Sequence, residues 1–300
     1  MNNNVKIWLQ AFRLRTLPLA LSSTFVGSFL AFSYGSFRLI VFVFALLTTL
    51  FLQILSNLAN DYGDAVKGAD CNRIGPERVT QSGKVSLPQM RRMIIAFVAL
   101  SLVSGSILIL VGLNKWPVWK IVLFFALGFS AIYAAIKYTV GRKPYGYVGL
   151  GDVFVYLYFG LVGVCGTFYL HSGFLNPWII LPASSIGFFS MGVLNLNNLR
   201  DAENDARIGK HTLVVRIGVK AAKIYHLFIV IFAIGLSVVY TLIFFTSPVQ
   251  LLFMGTIPLL LRDVKTVMKN TVPFELNNEL KKLALTTFAW SVSFGLGLVL

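Results

Sequence analysis

The chain has 300 residues, of which 57% are hydrophobic and only 12% charged, and its mean hydropathy is +0.78. One soluble domain could not cover so much apolar surface, so the composition predicts an integral membrane protein. The formal net charge of +15 comes from basic residues that flank apolar segments, which favours contact with anionic lipid headgroups and excludes a nucleic-acid-binding face.

Apolar segments recur along the whole chain at lengths that suit spanning helices, which need about 20 predominantly apolar residues. A β-barrel is excluded because these segments do not alternate polar with apolar residues. The N-terminal segment, MNNNVKIWLQAFRLRTLPLA, predicts an uncleaved amphipathic helix leading into the first span, since no small-residue cleavage site follows it. We predict an all-α, polytopic membrane fold of about nine transmembrane helices around a central cavity, with spans at approximately 17–34, 39–58, 94–113, 119–138, 150–170, 178–196, 224–245, 249–261 and 283–300.

The distribution of basic residues predicts the orientation. If nine helices alternate from a cytoplasmic N-terminus, the loops on the far side hold only Arg38, Lys115 and Lys120, and the other 23 of the 26 lysines and arginines lie on the near side. Cytoplasmic loops carry the excess of Lys and Arg. We therefore expect a multi-pass protein of the inner (cytoplasmic) membrane with its N-terminus and its active site facing the cytoplasm.

Six of the eleven acidic residues concentrate at the ends of two predicted spans: Asp61, Asp64 and Asp70 after the second, and Asp201, Glu203 and Asp205 after the sixth. With the helical period of about 3.6 residues, each group continues a polar helix face that begins inside the span. The first face comprises Gln53, Asn57, Asn60, Asp61 and Asp64, and the second comprises Asn195, Asn198, Asp201 and Asp205. Polar faces at membrane depth are costly unless they meet a cavity or a partner, so each face predicts a functional site.

The two regions also resemble each other. Each has an N-x-x-N pattern after an apolar span, then aspartates on the same face, then a Gly-Lys pair. This similarity indicates one transmembrane domain over residues 1–300 with a possible internal repeat, approximately 17–138 and 150–261, followed by a terminal helix at 283–300. Related halves would place the two acidic faces opposite one another across the cavity.

Clustered carboxylates without cysteine or nearby histidine suit a hard cation, and Mg²⁺ uses one or two carboxylates together with water and phosphate oxygens. Basic residues stand beside these acids and could hold such a phosphate: Lys67, Arg73, Arg78 and Lys84 in the first loop, and Arg200, Arg207 and Lys210 in the second. A diphosphate at the membrane surface, next to an apolar cavity, indicates a polyprenyl diphosphate substrate. Tyrosines near the cytoplasmic ends could line that cavity or form an interfacial aromatic belt: Tyr62, Tyr133, Tyr145, Tyr147 and Tyr156.

Asp152 is a further candidate, because it stands where the fifth span begins, beside Arg142 and Lys143. It could accept a proton from the acceptor substrate or orient the acceptor hydroxyl. A salt-bridged residue at the membrane boundary explains the same pattern equally well.

At these residues the sequence resembles the UbiA superfamily of intramembrane prenyltransferases, which carry N-D-x-x-D-x-x-x-D after the second helix and D-x-x-x-D after the sixth. Asn60, Asp61 and Asp64 match the first motif, whereas Asp70 stands two residues too far along; Asp201 and Asp205 match the second, and Lys210 follows as the family's lysine does. The resemblance covers nearly the whole chain. It implies Mg²⁺ held by Asp61, Asp64, Asp70, Asp201 and Asp205, and it places Tyr133 and Lys137 near the diphosphate.

Within the superfamily, the segments LQILSNLANDYGDAVKGAD, GRKPYGYVGLGDVFV and NLNNLRDAENDARIGKHTLVVRIG resemble the branch that prenylates 1,4-dihydroxy-2-naphthoate. That branch implies replacement of the naphthoate carboxylate by the prenyl group, with release of pyrophosphate and carbon dioxide, to give demethylmenaquinone. The alternatives are another acceptor of the same superfamily, such as 4-hydroxybenzoate, haem or chlorophyllide, or, from another class, a cation-coupled transporter. A transporter would place its acids near the bilayer midplane, unlike this chain.

Overall fold

The computed structural model describes residues 3–68, 75, 78–113 and 117–300, and all regular structure in these ranges is helical. The expectation of an all-α, multi-pass fold is confirmed. Within the described ranges, eight helical segments are long and apolar enough to cross a bilayer: Val5–Ser33, Leu39–Val66, Leu87–Gly112, Val118–Lys137, Gly151–Ser172, Pro177–Arg207, Val219–Ile243 and Pro273–Val299.

The predicted span at 249–261 is not among these eight. The chain there forms a 3-10 helix, Pro248–Thr256, followed by an α-helix, Ile257–Lys269. The uncharged part of this helical segment, residues 248–261, is only 14 residues long before Arg262 and Asp263, which is shorter than the roughly 20 apolar residues that a spanning helix needs. The helices are numbered in chain order, in the sequence α1 Asn3–Phe12, α2 Leu17–Ser33, α3 Leu39–Val66, α4 Leu87–Gly112, α5 Val118–Lys137, α6 Gly151–Val155, α7 Thr167–Ser172, α8 Ile180–Arg207, α9 Leu213–Ile217, α10 Val219–Ile243, α11 Ile257–Lys269 and α12 Leu276–Val299.

Two long helices, α3 and α8, organise the site. Helix α3 packs against α2, α4 and α5, while α8 packs against α10, α12 and the π-helix Tyr156–Gly166 that joins α6 to α7. The π-helix comes close to α8 because glycines face one another: a Cβ on Gly160 would lie 2.7 Å from the Ala183 carbonyl oxygen and 2.9 Å from the Cα of Gly187. Small residues permit such close helix packing in membranes.

Helix α3 is equally close to the chain that follows α5. A Cβ on Gly63 would lie 2.6 Å from the Thr139 hydroxyl oxygen, so only glycine fits there. The same hydroxyl donates to the Ala59 carbonyl (3.1 Å) and bonds to the Asn60 side-chain oxygen (3.2 Å). This contact fixes the acidic end of α3 against the α5 end.

Candidate active site

A cavity of about 690 Å³ lies between α2, α3, α4, α5, the π-helix and α8. Along α3 its wall runs from Ala45 to Asp64, which is nineteen residues and therefore about 28 Å of helix. This length is close to the roughly 30 Å of a bilayer's hydrocarbon core. The cavity therefore extends along much of the membrane-spanning region. The end near Asp64 is lined by acidic and hydrogen-bonding side chains, and we call it the acidic end.

The α3 carboxylates at the acidic end differ in their partners. Asp64 is buried, and its two oxygens accept from the Arg78 guanidinium and the Tyr147 hydroxyl, each at 3.1 Å. Asp61 is also buried, and its Oδ1 has no hydrogen-bond partner. Arg78, which the sequence analysis selected as a phosphate ligand, lines the cavity and is paired with Asp64.

The α8 carboxylates are held by two different cations. The fully buried Arg200 donates its Nε and Nη2 atoms to the two oxygens of Asp201, and it also donates to Asn197 and Asn277. Asp205 accepts from Lys210 at 3.2 Å through Oδ1, and its Oδ2 has no partner. Burial alone would lower the pKa of Lys210, but the carboxylates around it raise the pKa and keep the ammonium charged.

Of the α8 face that the sequence analysis selected, Asp201 and Asp205 line the cavity, and the two asparagines do not. Asn195 donates to the Ala222 carbonyl on α10, and neither Asn195 nor Asn198 lines the cavity. Measured around the helix from Asp201, at about 100° per residue, they lie at about +120° and +60°. Asn197 and Asn204, at about −40° and −60°, do line it. Their spacing of four before and three after Asp201 is the signal that would have identified them.

The N-terminal segment supplies two arginines that the sequence analysis did not select, Arg13 and Arg15, which both line the acidic end. Arg13 has φ of 52° in the left-handed region, a conformation that non-glycine residues rarely adopt. Asn57 holds this segment by donating to the Phe12 carbonyl (2.9 Å) and to the Thr16 hydroxyl (3.0 Å). Strain of this kind clusters at functional sites and is maintained by surrounding contacts.

Several other predicted residues lie outside the cavity lining. Tyr133 is 63% exposed on the outer side of α5, Lys84 is exposed, and the Lys137 ammonium lies over Gly141. Asp152 is buried and accepts from the Tyr225 hydroxyl at 3.0 Å, without lining the cavity. Lys67 lies in a separate surface pocket. Asp70 and Arg73 lie outside the described residues.

Aromatic side chains form one wall between the acidic end and the deeper cavity. Tyr145 stacks on Phe154 with ring centroids 4.0 Å apart, and its hydroxyl donates to the Ala134 carbonyl. Tyr138 packs edge-on against Tyr145 at 5.3 Å. Burial raises the pKa of both tyrosines above the ordinary value, so their hydroxyls stay neutral. The wall is apolar in character, with neutral hydroxyls at its edges.

The acidic end fits a hard cation that shares its ligands with a substrate. Within the described ranges, no three His, Cys, Asp or Glu side chains converge closely enough to hold an ion by themselves. The unpartnered oxygens of Asp61 and Asp205 nevertheless both belong to cavity-lining carboxylates. Mg²⁺ is typically held by one or two carboxylates and completed by water and phosphate oxygens, which is the donor set available here.

The chain is similar over its whole length to two bacterial enzymes. It is 42% identical to the 1,4-dihydroxy-2-naphthoate octaprenyltransferase of Haemophilus influenzae, covering 100% of this chain and 98% of that protein. It is 40% identical to the Escherichia coli protein of the same name, covering 99% and 96%.

Two archaeal structures share its fold at 17% identity. The apo structure of a UbiA homolog from Aeropyrum pernix K1 has a TM-score of 0.66 over 93% of this chain and 97% of that one. The UbiA homolog from Archaeoglobus fulgidus bound to GPP and Mg²⁺ has a TM-score of 0.63 over 98% and 99%. Residues 20–271 match the UbiA prenyltransferase family. The resemblance carried by the two aspartate motifs is thereby confirmed: the chain belongs to the UbiA prenyltransferase family.

Proposed function

We propose that this protein transfers a polyprenyl group from a polyprenyl diphosphate to 1,4-dihydroxy-2-naphthoate, releasing pyrophosphate and carbon dioxide and forming demethylmenaquinol, the reduced form of demethylmenaquinone. One observation carries the proposal: the carboxylate pairs of α3 and α8 lie at one end of a cavity about 28 Å long, and each pair forms an ion pair with a basic side chain, Arg78 or Lys210. The names of the two bacterial relatives, each matched over nearly its full length, support the naphthoate acceptor.

In this proposal the diphosphate occupies the acidic end. Asp61, Asp64, Asp201 and Asp205 would hold Mg²⁺, which supplies positive charge to the diphosphate as a leaving group. Arg78 and Lys210 stand beside these carboxylates and would bind the remaining diphosphate oxygens. Asn60 contributes an amide to the same surface. The unpartnered oxygens of Asp61 and Asp205 and the adjacent basic side chains together match a metal-bound diphosphate better than a metal ion alone or a diphosphate alone.

The deeper cavity would hold the polyprenyl tail and keep water away from the reacting carbon. When the allylic C–O bond breaks, its electron pair leaves with pyrophosphate and an allylic cation remains. The π-faces of Phe154 and Tyr158, which line the cavity beside Tyr145, are suited to stabilise that cation. The naphthoate ring carbon that carries the carboxylate then forms the new C–C bond, and loss of that carboxylate as carbon dioxide returns the electron pair of the broken C–C bond to the ring.

The roles of the remaining predicted residues follow from their positions. Asp152, Tyr133 and Lys137 do not line the cavity, so we place no proton transfer on Asp152 and no direct diphosphate contact on Tyr133 or Lys137. Arg200 holds Asp201 and is a positioning residue. Asn57 holds the N-terminal segment against α3.

We further propose that the protein lies in the inner membrane with its N-terminus and the acidic end of the cavity facing the cytoplasm. The support is the excess of Lys and Arg in the loops on that side. A cytoplasmic acidic end would let the soluble naphthoate enter and the pyrophosphate leave on the side where both are metabolised. The orientation would be tested by thiol labelling of cysteines engineered into the loops, or by protease cleavage of the loops, compared between intact and lysed spheroplasts.

The test of function uses membranes from cells that express the full chain. Dihydroxynaphthoate is compared with 4-hydroxybenzoate as acceptor, with prenyl diphosphates of several lengths, in Mg²⁺ and in EDTA. We expect prenylated naphthoquinol only with dihydroxynaphthoate and only with Mg²⁺. Product from 4-hydroxybenzoate at a comparable kcat/KM, or full activity in EDTA, would contradict the proposal.

Matched variants of α8 and α3 make the metal assignment testable. Asp201→Asn and Asp64→Asn should each abolish Mg²⁺-dependent transfer while the protein still inserts and folds. Glu203→Gln is the control, because Glu203 lies on the same helix as Asp201 but its side chain is exposed and pairs with Arg207. Near-normal turnover in either aspartate variant would refute their role as metal ligands.

A further inference from the structure

A second, smaller pocket lies at the surface beside the acidic end of the cavity. Its volume is about 450 Å³, and none of its lining residues also lines the catalytic cavity. We call it the outer pocket, and its lining consists of Lys67, Arg142, Lys143, Pro144, Tyr147, Val148, Ile208, Gly209 and His211. These residues come from the end of α3, the segment between α5 and α6, and the segment between α8 and α9.

The outer pocket is strongly positive. Its described lining contains three basic side chains, those of Lys67, Arg142 and Lys143, together with a histidine and no carboxylate. The Lys67 ammonium lies 3.8 Å from the centre of the Tyr147 ring. Partial burial there lowers the pKa of Lys67, as do the positive charges of Lys210 and Lys137, whereas Asp64 opposes them. A concave surface with this excess of positive charge is suited to an anion.

Tyr147 is the wall between the outer pocket and the catalytic cavity. Its hydroxyl donates to Asp64 on the cavity side, while its ring carries Lys67 on the pocket side. Lys210, which binds Asp205 in the cavity, has its ammonium 5.6 Å from the centre of the same ring. The backbone N–H of His211 donates to the Tyr147 carbonyl and fixes this residue in place (3.0 Å). Cations therefore continue from the cavity, past one aromatic side chain, to the surface.

We propose that the outer pocket is a binding site for inorganic pyrophosphate, used as the product leaves the catalytic cavity. This inference rests on the proposed function, which generates pyrophosphate on the other side of Tyr147. Arg142, with its planar guanidinium, and Lys143 and Lys67, with their ammonium groups, offer donors suited to phosphoryl oxygens. The anionic headgroup of a phospholipid has the same phosphoryl chemistry, so the test must separate the two sources.

The experiment measures equilibrium binding of radiolabelled pyrophosphate to the purified protein in nanodiscs of zwitterionic lipid, in EDTA. EDTA removes the Mg²⁺ through which the catalytic carboxylates would hold pyrophosphate, and variants of each pocket then assign the binding that remains. We expect Arg142→Ala/Lys143→Ala to raise the Kd about three- to tenfold, the scale of partly exposed ion pairs. Arg142→Gln/Lys143→Gln repeats the test with larger polar side chains in case the alanine variant is poorly folded.

The matched control removes two positive charges elsewhere. Lys265→Ala/Lys269→Ala alters two exposed lysines of α11 that are not part of the pocket, and it should leave the Kd unchanged. Arg78→Gln removes a cation from the catalytic cavity, which would weaken any pyrophosphate bound there, and it should also leave the Kd unchanged. Equal pyrophosphate affinity in the arginine–lysine variant and its control would overturn the inference.

The last arms separate the inference from its alternatives. If anionic lipid added to the nanodiscs abolishes pyrophosphate binding by the wild type, the pocket belongs to lipid headgroups and the inference is overturned. Prenyl transfer is assayed on the same preparation. Absence of transfer in the wild type would refute the proposed function, whereas normal transfer with no Mg²⁺-independent pyrophosphate binding would refute the outer pocket alone.

Discussion

Arg200 offers a sharp test of how the α8 carboxylates are positioned. Its side chain is 2% exposed and makes four hydrogen bonds: two to Asp201, one to Asn197 and one to Asn277 at the start of α12. The change Arg200→Leu removes all four and leaves Asp201 without its cation. We expect the fold to lose stability and the metal site to lose its α8 half together.

The size of the loss follows from these contacts. Breaking one partner of a buried ion pair costs about 3–5 kcal/mol, and each neutral hydrogen bond contributes about 1 kcal/mol. The sum is about 5 kcal/mol or more, which corresponds to a fall in Tm of about 10 °C or more for a chain of this size. Thermal unfolding of the purified protein, followed by the loss of monodisperse protein, measures this fall. The Mg²⁺ concentration for half-maximal transfer should rise in parallel.

Two variants control the Arg200 experiment. Arg207→Leu removes an arginine from the same helix that makes an exposed ion pair with Glu203, and it should change stability by no more than about 1 kcal/mol. Arg200→Lys retains the charge but not the two-pronged geometry, and it should give an intermediate Tm. A normal Tm in Arg200→Leu, with a raised KM for the prenyl diphosphate, would refute the positioning role and assign Arg200 to the diphosphate.

Three further substitutions have distinct expected results. Lys210→Met should raise the KM for the prenyl diphosphate about tenfold or more, because a charge-assisted contact is worth about 1.5–3 kcal/mol, and a raised acceptor KM alone would oppose this. Tyr147→Phe should lower kcat/KM about tenfold, because one oxygen of Asp64 loses its hydrogen bond. Unchanged kinetics would show that this hydrogen bond does not contribute to the reaction. His226→Leu should lower the free energy of unfolding by about 3 kcal/mol, because Asp263 loses its buried partner at 2.8 Å. Both KM values should stay normal, since neither residue lines the cavity. Altered KM values would contradict a purely structural role for this pair.

The polar α3 face that the sequence analysis selected lies on the cavity wall. Asn57, Asn60, Asp61 and Asp64 all line the cavity, because each lies three or four residues from another and α3 is a regular helix throughout. The family, the all-helical membrane fold and the position of both acidic clusters could also be predicted from the sequence. They depend on local hydropathy and on short motifs, which the sequence displays directly.

What could not be predicted depends on long-range packing. Whether Asn195 or Asn197 faces the cavity depends on where α10 packs around α8, and Asn195 is occupied by the Ala222 carbonyl of that helix. The sequence does not show that Asn277 lies beside Arg200 and shares its guanidinium with Asp201. Arg13 reaches the cavity because its own backbone, between α1 and α2, is left-handed. No local sequence pattern predicts that turn.

Arg38 connects the folded structure to the insertion of the chain into the membrane. Its guanidinium donates to the carbonyls of Val111 and Gly112 at the end of α4 and lies 3.5 Å from that of Leu170 in α7, where a cation complements the helix dipole. If the N-terminus lies in the cytoplasm, as proposed, this side chain must be translocated against the preference that sets topology. Replacing it by a neutral residue should therefore ease biogenesis while loosening the finished bundle, so the yield of inserted protein and its thermal stability would change in opposite directions.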